Sequence, residues 1–150
     1  MDDFDFLIGR WRVANRRLKH RLVGSDDWDE FEALGEIRSL FDGAANIDEI
    51  IFPDGMRGLT LRLYDPVRKV WSLHWTTNET GVLFPVVTGS FDGDRGVFYG
   101  ADREGEQPVD VRFIWSRGTP GAPRWEQAFS VDGRQTWETN WIMDLRPADD

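Results

Sequence analysis

Hydrophobic and polar residues alternate along most of the chain, and this period of two is typical of β-strands. No segment keeps a helical period over three turns. A single short helical turn is predicted over residues 2–7, where acidic residues suit the amide-rich start of a helix. The alternation predicts ten strands, near residues 9–21, 29–41, 46–53, 57–65, 69–78, 85–91, 96–103, 108–117, 124–132 and 136–146.

Short turns separate the predicted strands. The dipeptide Asp-Gly favours tight hairpins because glycine accepts a positive φ, and it occurs at Asp42-Gly43, Asp54-Gly55, Asp92-Gly93 and Asp132-Gly133. Connections this short cannot carry the crossovers of a parallel sheet, so the strands form an antiparallel meander. Closure removes the exposed edges of such a sheet. The predicted fold is therefore all-β, an up-and-down antiparallel barrel formed by one domain over residues 1–150, with a two-sheet sandwich as the alternative.

Large aromatic side chains collect on one face of each predicted strand. We predict that this face lines the barrel, and that polar residues of the same parity meet a ligand, water or another protein group, because a buried polar group needs a partner. Arg17 is the basic residue of this set and is expected to anchor a carboxylate. The predicted ligand-binding residues are Asn15, Arg17, Trp71, Trp75, Trp115, Trp125, Gln127, Trp137, Thr139 and Trp141.

Charge and cysteine content narrow the partners. The net charge of −9 disfavours nucleic acid, which is bound mainly through phosphate neutralisation. The basic cluster of the first predicted strand is expected to pair with the acidic segment that follows it. The chain has no cysteine and shows neither a secretory signal nor a membrane-spanning segment. It is predicted to be cytoplasmic, with no nucleic-acid or membrane partner, and a homodimer is an open alternative.

The first and the last predicted strands carry further motifs. Phe6-Leu7-Ile8-Gly9-Arg10-Trp11 places a short turn before a Gly-x-Trp at the start of the first strand, and Asp144-Leu145-Arg146 ends the last. With ten strands, these residues resemble the calycin superfamily of lipocalins, fatty-acid-binding proteins and nitrobindins, in particular its bacterial lipocalin-like members. The resemblance implies that Trp11 plugs one end of the barrel and that Arg146 packs over it, and a guanidinium does stack well on an indole.

Three functions are compatible with this barrel. The favoured one is binding of a small apolar or aromatic ligand in the aromatic cavity, with no reaction, no metal and no cofactor. A second is a protein-interaction module whose Trp-rich face lies outside. A third is an acid–base enzyme for a small carboxylated substrate, in which the opposite strand faces line the lumen. Its residues would be Arg62, His74, Arg112, Glu126 and Glu138.

The resemblance to nitrobindins, which hold haem through a histidine, generates a first test. His20 and His74 are the histidines of the chain, and the parity of His74 is opposite to that of the Trp face. A haem ligand has to point inward. We therefore expect protein expressed with abundant haem to show no Soret absorption that depends on His74. A stoichiometric Soret band that disappears in His74→Ala would contradict the prediction that His74 points out of the barrel.

Overall fold

Ten antiparallel strands close into a barrel in the computed structural model, which describes residues 1–148. Each strand pairs with its sequence neighbours, and β1 pairs with β10 to complete the ring. The strands are β1 (Gly9–Leu18), β2 (Trp28–Leu40), β3 (Ala45–Ile51), β4 (Arg57–Asp65), β5 (Val70–Thr77), β6 (Val87–Asp92), β7 (Arg95–Glu104), β8 (Gln107–Ser116), β9 (Arg124–Ser130) and β10 (Glu138–Pro147). This confirms the predicted all-β, ten-stranded, up-and-down barrel.

Helix is confined to two 3-10 turns in the described part of the chain, Asp5–Leu7 and Phe41–Gly43. The first of them confirms the short helical turn predicted at the N-terminus. Neither turn approaches the length of a bilayer crossing, and no helix within residues 1–148 is long and apolar enough for one.

The N-terminal segment closes one end of the barrel. It buries Phe4 and Leu7, and the Phe4 ring meets Trp71 edge-on with the ring centroids 4.8 Å apart. The indole N–H of Trp71 donates to a carboxylate oxygen of Asp3 at 2.9 Å. Trp11 is also buried, and its indole donates to the Leu7 carbonyl oxygen at 2.8 Å. We call this segment, residues 1–8, the N-terminal plug.

Arg146 does not pack over Trp11, which corrects the expectation drawn from the sequence. Arg146 is opposite Arg12 in the β1–β10 ladder, and residues directly opposite each other share a face of the sheet. That face is the outside of the barrel, where Arg146 donates to Glu32 at 2.9 Å and Arg12 donates to the same carboxylate at 3.2 Å. These hydrogen bonds hold the pKa of Glu32 below its usual value. Trp11 is covered by the turn at Leu7 instead.

The basic strand and the acidic strand pair as predicted. Strands β1 and β2 are antiparallel neighbours, and their outward side chains form ion pairs along the ladder. The pairs are Arg12 with Glu32 at 3.2 Å, Arg16 with Glu30 at 3.3 Å and, in the loops beyond the strands, Lys19 with Asp27 at 3.6 Å. Three cations of the cluster are therefore neutralised within the fold.

Strand β4 turns its polar side chains into the barrel. Arg62 is opposite Leu73 in the β4–β5 ladder, and Thr60 is opposite Trp75. Because the face of β5 that carries Trp75 points inward, the paired residues of β4 point inward as well. The prediction that Arg62 and His74 share one face of the sheet is therefore wrong. Three leucines of β4 lie half-buried on the outside: Leu59, Leu61 and Leu63.

The buried indole of Trp11 gives a stability test. We expect Trp11→Ala to lower the free energy of unfolding by about 3–5 kcal/mol, the range for deletion of a large buried ring. Trp11→Phe keeps most of that burial but leaves the Leu7 carbonyl without its donor, so a loss of about 1–2 kcal/mol is expected. Urea unfolding measures both, with Trp28→Phe on the outer face as the control. A loss below about 1 kcal/mol for Trp11→Ala would mean that the plug does not depend on this residue.

Candidate ligand-binding site

An internal cavity of about 90 Å³ lies inside the barrel. An apolar cavity of about 150 Å³ takes benzene, so this smaller volume has space for a molecule of at most about one ring. Most of its lining is apolar, and the aromatic members are Trp11, Trp75, Phe113, Trp115, Trp125 and Trp141. The polar members of the lining are Asp48, Thr60, Arg62 and Gln127.

Strands β8, β9 and β10 supply one side of the cavity, which we call the aromatic wall. It consists of Phe113, Trp115, Trp125 and Trp141. Trp115 and Trp125 are opposite each other in the β8–β9 ladder, and both are buried. Phe113 meets Trp125 edge-on at 5.1 Å between ring centroids, and Trp141 meets it edge-on at 5.6 Å. Edge-to-face contacts of this kind hold the ring planes in fixed orientations.

Strands β3 and β4 supply the polar wall, defined by Asp48, Thr60 and Arg62. In the ring of ten strands, β3 and β4 lie five places from β8 and β9, so the polar wall faces the aromatic wall. The Arg62 guanidinium donates to Asp48 at 2.8 Å and to the side-chain oxygen of Asn46 at 2.7 Å. Its side chain is 3% exposed and that of Asp48 is 15% exposed. The guanidinium also lies 5.4 Å from the Trp115 ring, so the two walls meet at this point.

Half of the ten predicted ligand-binding residues line the cavity. They are Trp75, Trp115, Trp125, Gln127 and Trp141. Asn15 lies behind the aromatic wall, where its side-chain oxygen accepts a hydrogen bond from the indole of Trp141 at 2.9 Å. Asn15 is fully buried, so it orients that indole and does not itself face the cavity. The binding roles of these residues stay predictions.

Arg17 lies at the rim of the barrel, at the end of β1 away from the N-terminal plug. Its guanidinium is stacked between the rings of Phe31, at 4.9 Å, and Trp141, at 5.0 Å. It is not part of the cavity lining and borders a surface groove instead. The structure thus places this cation at the rim, over the ring of Trp141, and its role as a carboxylate anchor stays a prediction.

An irregularity in β10 changes which side chains before it point into the barrel and which point outward. The β9–β10 register shifts between Thr139 and Trp141, as in a β-bulge, so the intervening Asn140 is fully buried. Its side-chain oxygen accepts a hydrogen bond from Gln127 at 2.8 Å. An extra residue in one strand changes the parity of every side chain beyond it. For this reason Thr139 and Trp137 do not point into the cavity, which corrects the alternation predicted for them.

Trp71 and Trp137 have partners elsewhere. Trp71 is fully buried against the N-terminal plug. Trp137 lies on the outer surface, with its ring 6.0 Å from that of Tyr99 and 4.5 Å from the Arg112 guanidinium. The expectation that all the predicted tryptophans converge on one lumen is therefore wrong for these two.

A network of hydrogen bonds orders the loop that leads into β10. Asp132 accepts hydrogen bonds from the side chain and the backbone of Thr136 and from the hydroxyl of Ser130, and these lower its pKa to about 2. The ordinary pKa of an aspartate is about 3.9. The stabilisation of the loop is therefore complete above about pH 4 and is lost as the pH falls through about 2.

The residues predicted for the acid–base enzyme do not come together in one site. Arg62 faces the cavity, where its carboxylate partner neutralises it. Glu138 is turned inward by the irregularity in β10, but at the rim, where it accepts the backbone N–H of Leu22 at 2.7 Å. The others lie on the outer face: His74, Arg112 and Glu126. Within residues 1–148 no group of three or more acidic or histidine side chains is placed to hold a metal ion.

Two solved structures share this barrel. The crystal structure of Rv2717c from M. tuberculosis superimposes with a TM-score of 0.59 at 11% sequence identity, covering 97% of this chain and 95% of that one. The S-type phycobiliprotein lyase CpeS from Guillardia theta gives a TM-score of 0.55 at 10% identity, covering 98% of this chain and 91% of the lyase. The sequence matches no known family model. It also matches no curated protein. The likeness shows the fold alone, a closed antiparallel β-barrel.

A glycine pair tests how tightly the cavity wall is built. A Cβ atom at Gly58 would lie 1.9 Å from Cη2 of Trp75, whereas a Cβ atom at Gly35 would meet its nearest neighbour, Val13, at 3.7 Å. We expect Gly58→Ala to displace the Trp75 indole and to lower the free energy of unfolding by about 1–3 kcal/mol. The matched control Gly35→Ala should cost less than about 1 kcal/mol. Urea unfolding and the indole N–H resonance of Trp75 measure both effects, and equal behaviour of the two variants would refute the close packing.

Proposed function

We propose that this barrel binds a small, flat, largely apolar or aromatic molecule in its internal cavity without transforming it. The aromatic wall is the observation that carries the proposal. Ligand pockets are mostly apolar, with a few placed polar groups that orient the ligand, and this cavity has that composition. The barrel shared with a phycobiliprotein lyase supports the binding of a small molecule or chromophore.

Cavity volume limits the size of the ligand. About 90 Å³ suits a molecule of at most about one ring, whereas a multi-ring chromophore would require side chains of the walls to move. The edge-to-face contacts among Phe113, Trp125 and Trp141 resist such movement, because each ring is held by another. We therefore favour a ligand of one ring.

We place the entrance beside Trp75. The β5–β6 ladder ends at the pair Leu73 and Val87, although β5 continues to Thr77. Beyond Leu73 the ring of strands is closed only by the following loop, in which the backbone N–H of Phe84 donates to the Trp75 carbonyl oxygen at 2.8 Å. A loop held by few backbone bonds opens more easily than a strand ladder.

The protein-interaction alternative loses the surface on which it rested. That hypothesis needed a Trp-rich outer face, whereas Trp11, Trp71, Trp115 and Trp125 are buried. A homodimer, the absence of nucleic-acid and membrane partners and the cytoplasmic location stay predictions.

Saturable binding of an apolar probe tests the proposed function. We expect benzene to change the tryptophan emission with one-to-one stoichiometry, because its ring would contact the aromatic wall. Val13→Phe should weaken this binding at least tenfold, since Val13 lines the cavity and the added ring would occupy it. Ala14→Phe adds the same ring to the neighbouring, exposed position and should leave the binding unchanged. Failure of benzene, toluene and phenol alike to bind the wild-type protein would refute the proposal.

A further inference from the structure

We infer that the ligand presents a neutral, planar edge with a hydrogen-bond donor beside an acceptor, as in a cyclic amide, and that the polar wall recognises this edge. The inference rests on the proposed function and specifies the chemical class of its ligand. It follows from the charge of the cavity, from the hydrogen-bonding capacity left on the polar wall and from the position of the aromatic wall.

The cavity offers no free charge. Its charged lining residues are Asp48 and Arg62, and their formal charges cancel in an ion pair of 2.8 Å. A charged ligand would leave water for an apolar site without a counter-charge, and burial of an unpaired charge is costly. Arg17 is outside the lining and stacked between two rings. A neutral ligand therefore fits the cavity best.

Hydrogen-bonding capacity remains on the polar wall. Arg62 uses one oxygen of Asp48, and the other oxygen, Oδ1, has no partner within residues 1–148. The hydroxyl of Thr60 has none in the same part of the chain, and the Nε–H of Arg62 is buried without an acceptor. A carboxylate oxygen only accepts, whereas a hydroxyl or a guanidinium N–H donates. Because the Nε–H of Arg62 is buried, the wall presents to the cavity one acceptor, Oδ1 of Asp48, and one donor, the hydroxyl of Thr60.

These groups are close enough to meet one edge of a small ligand. Asp48 and Thr60 are directly opposite in the β3–β4 ladder, and side chains in that relation start from Cβ atoms about 4.5–5.5 Å apart. An N–H group beside a C=O group would donate to Asp48 and accept from Thr60 at the same time. The ring that carries them would lie toward the aromatic wall, which faces the polar wall across the barrel.

Three probes of similar size and shape test the inference on the wild-type protein. They are benzene, which is neutral and apolar, 2-pyridone, which carries an N–H beside a C=O, and benzoate, which is an anion. In equilibrium dialysis we expect 2-pyridone to bind about tenfold more tightly than benzene, and benzoate to bind more weakly than either. Tightest binding by benzoate, or equal binding by 2-pyridone and benzene, would overturn the inference.

The outcomes separate this inference from the proposed function. If benzene binds without any preference for 2-pyridone, the cavity binds ligands but the polar wall does not select them, so this inference alone fails. If no probe binds, the proposed function fails with it. Because the probe series uses the wild-type protein, its result does not depend on how well any variant folds.

Variants of the polar wall assign the preference to its residues. Thr60→Val keeps the shape and the ion pair but removes a donor, so it should weaken the binding of 2-pyridone three- to tenfold and leave that of benzene unchanged. The double substitution Asp48→Leu/Arg62→Met removes both charges together, leaving no unpaired charge, and should abolish the preference. The control Arg124→Gln/Asp144→Asn removes an exposed ion pair of 2.7 Å and should keep it. A preference retained in both wall variants would overturn the assignment.

Discussion

A guanidinium inside an aromatic barrel has to be neutralised and hydrogen-bonded, and Arg62 imposes this requirement on the interior. Its partners are Asn46 and Asp48 on the neighbouring strand. Its planar group also lies 5.3 Å from the Phe4 ring and 5.4 Å from the Trp115 ring. One cation thus connects the β3–β4 ladder, the N-terminal plug and the aromatic wall. The charge balance and the polar side of the cavity both follow from this cluster.

The ion pair of Arg62 and Asp48 also explains why the cavity has one polar wall and one aromatic wall. An ion pair in an apolar interior keeps its strength because little water competes with it. The unused oxygen of Asp48 and the hydroxyl of Thr60 then face a space whose opposite wall is aromatic. A flat molecule with one polar edge satisfies both walls, whereas an aliphatic or charged molecule satisfies neither completely. The barrel itself does not establish this, because one fold serves many functions, so the proposal stands on the residues of the site.

Several features of the site were accessible to sequence reasoning. The period of two and the Asp-Gly turns predict the barrel, and they also predict that Trp75, Trp115, Trp125 and Trp141 share its interior, which the cavity lining bears out. The contribution of β4 was missed. Its pattern Leu59-x-Leu61-x-Leu63 indicates that the leucines face inward, and only the position of Arg62 opposite Leu73 shows the reverse. Burial of a charge is also the outcome that hydrophobic patterning disfavours most.

The sequence by itself determined the strand order, the hairpin connections and the pairing of the basic strand with the acidic one, because these depend on local turn chemistry, alternation and charge. Tertiary structure decided which face of β4 points inward, where Arg146 lies, and how the shift at Asn140 reverses the facing of Trp137. The physical reason is the same in each case. Paired residues of an antiparallel ladder share a face, so register overrides the polarity of the individual side chain, and closure of the ring leaves no strand free to slip.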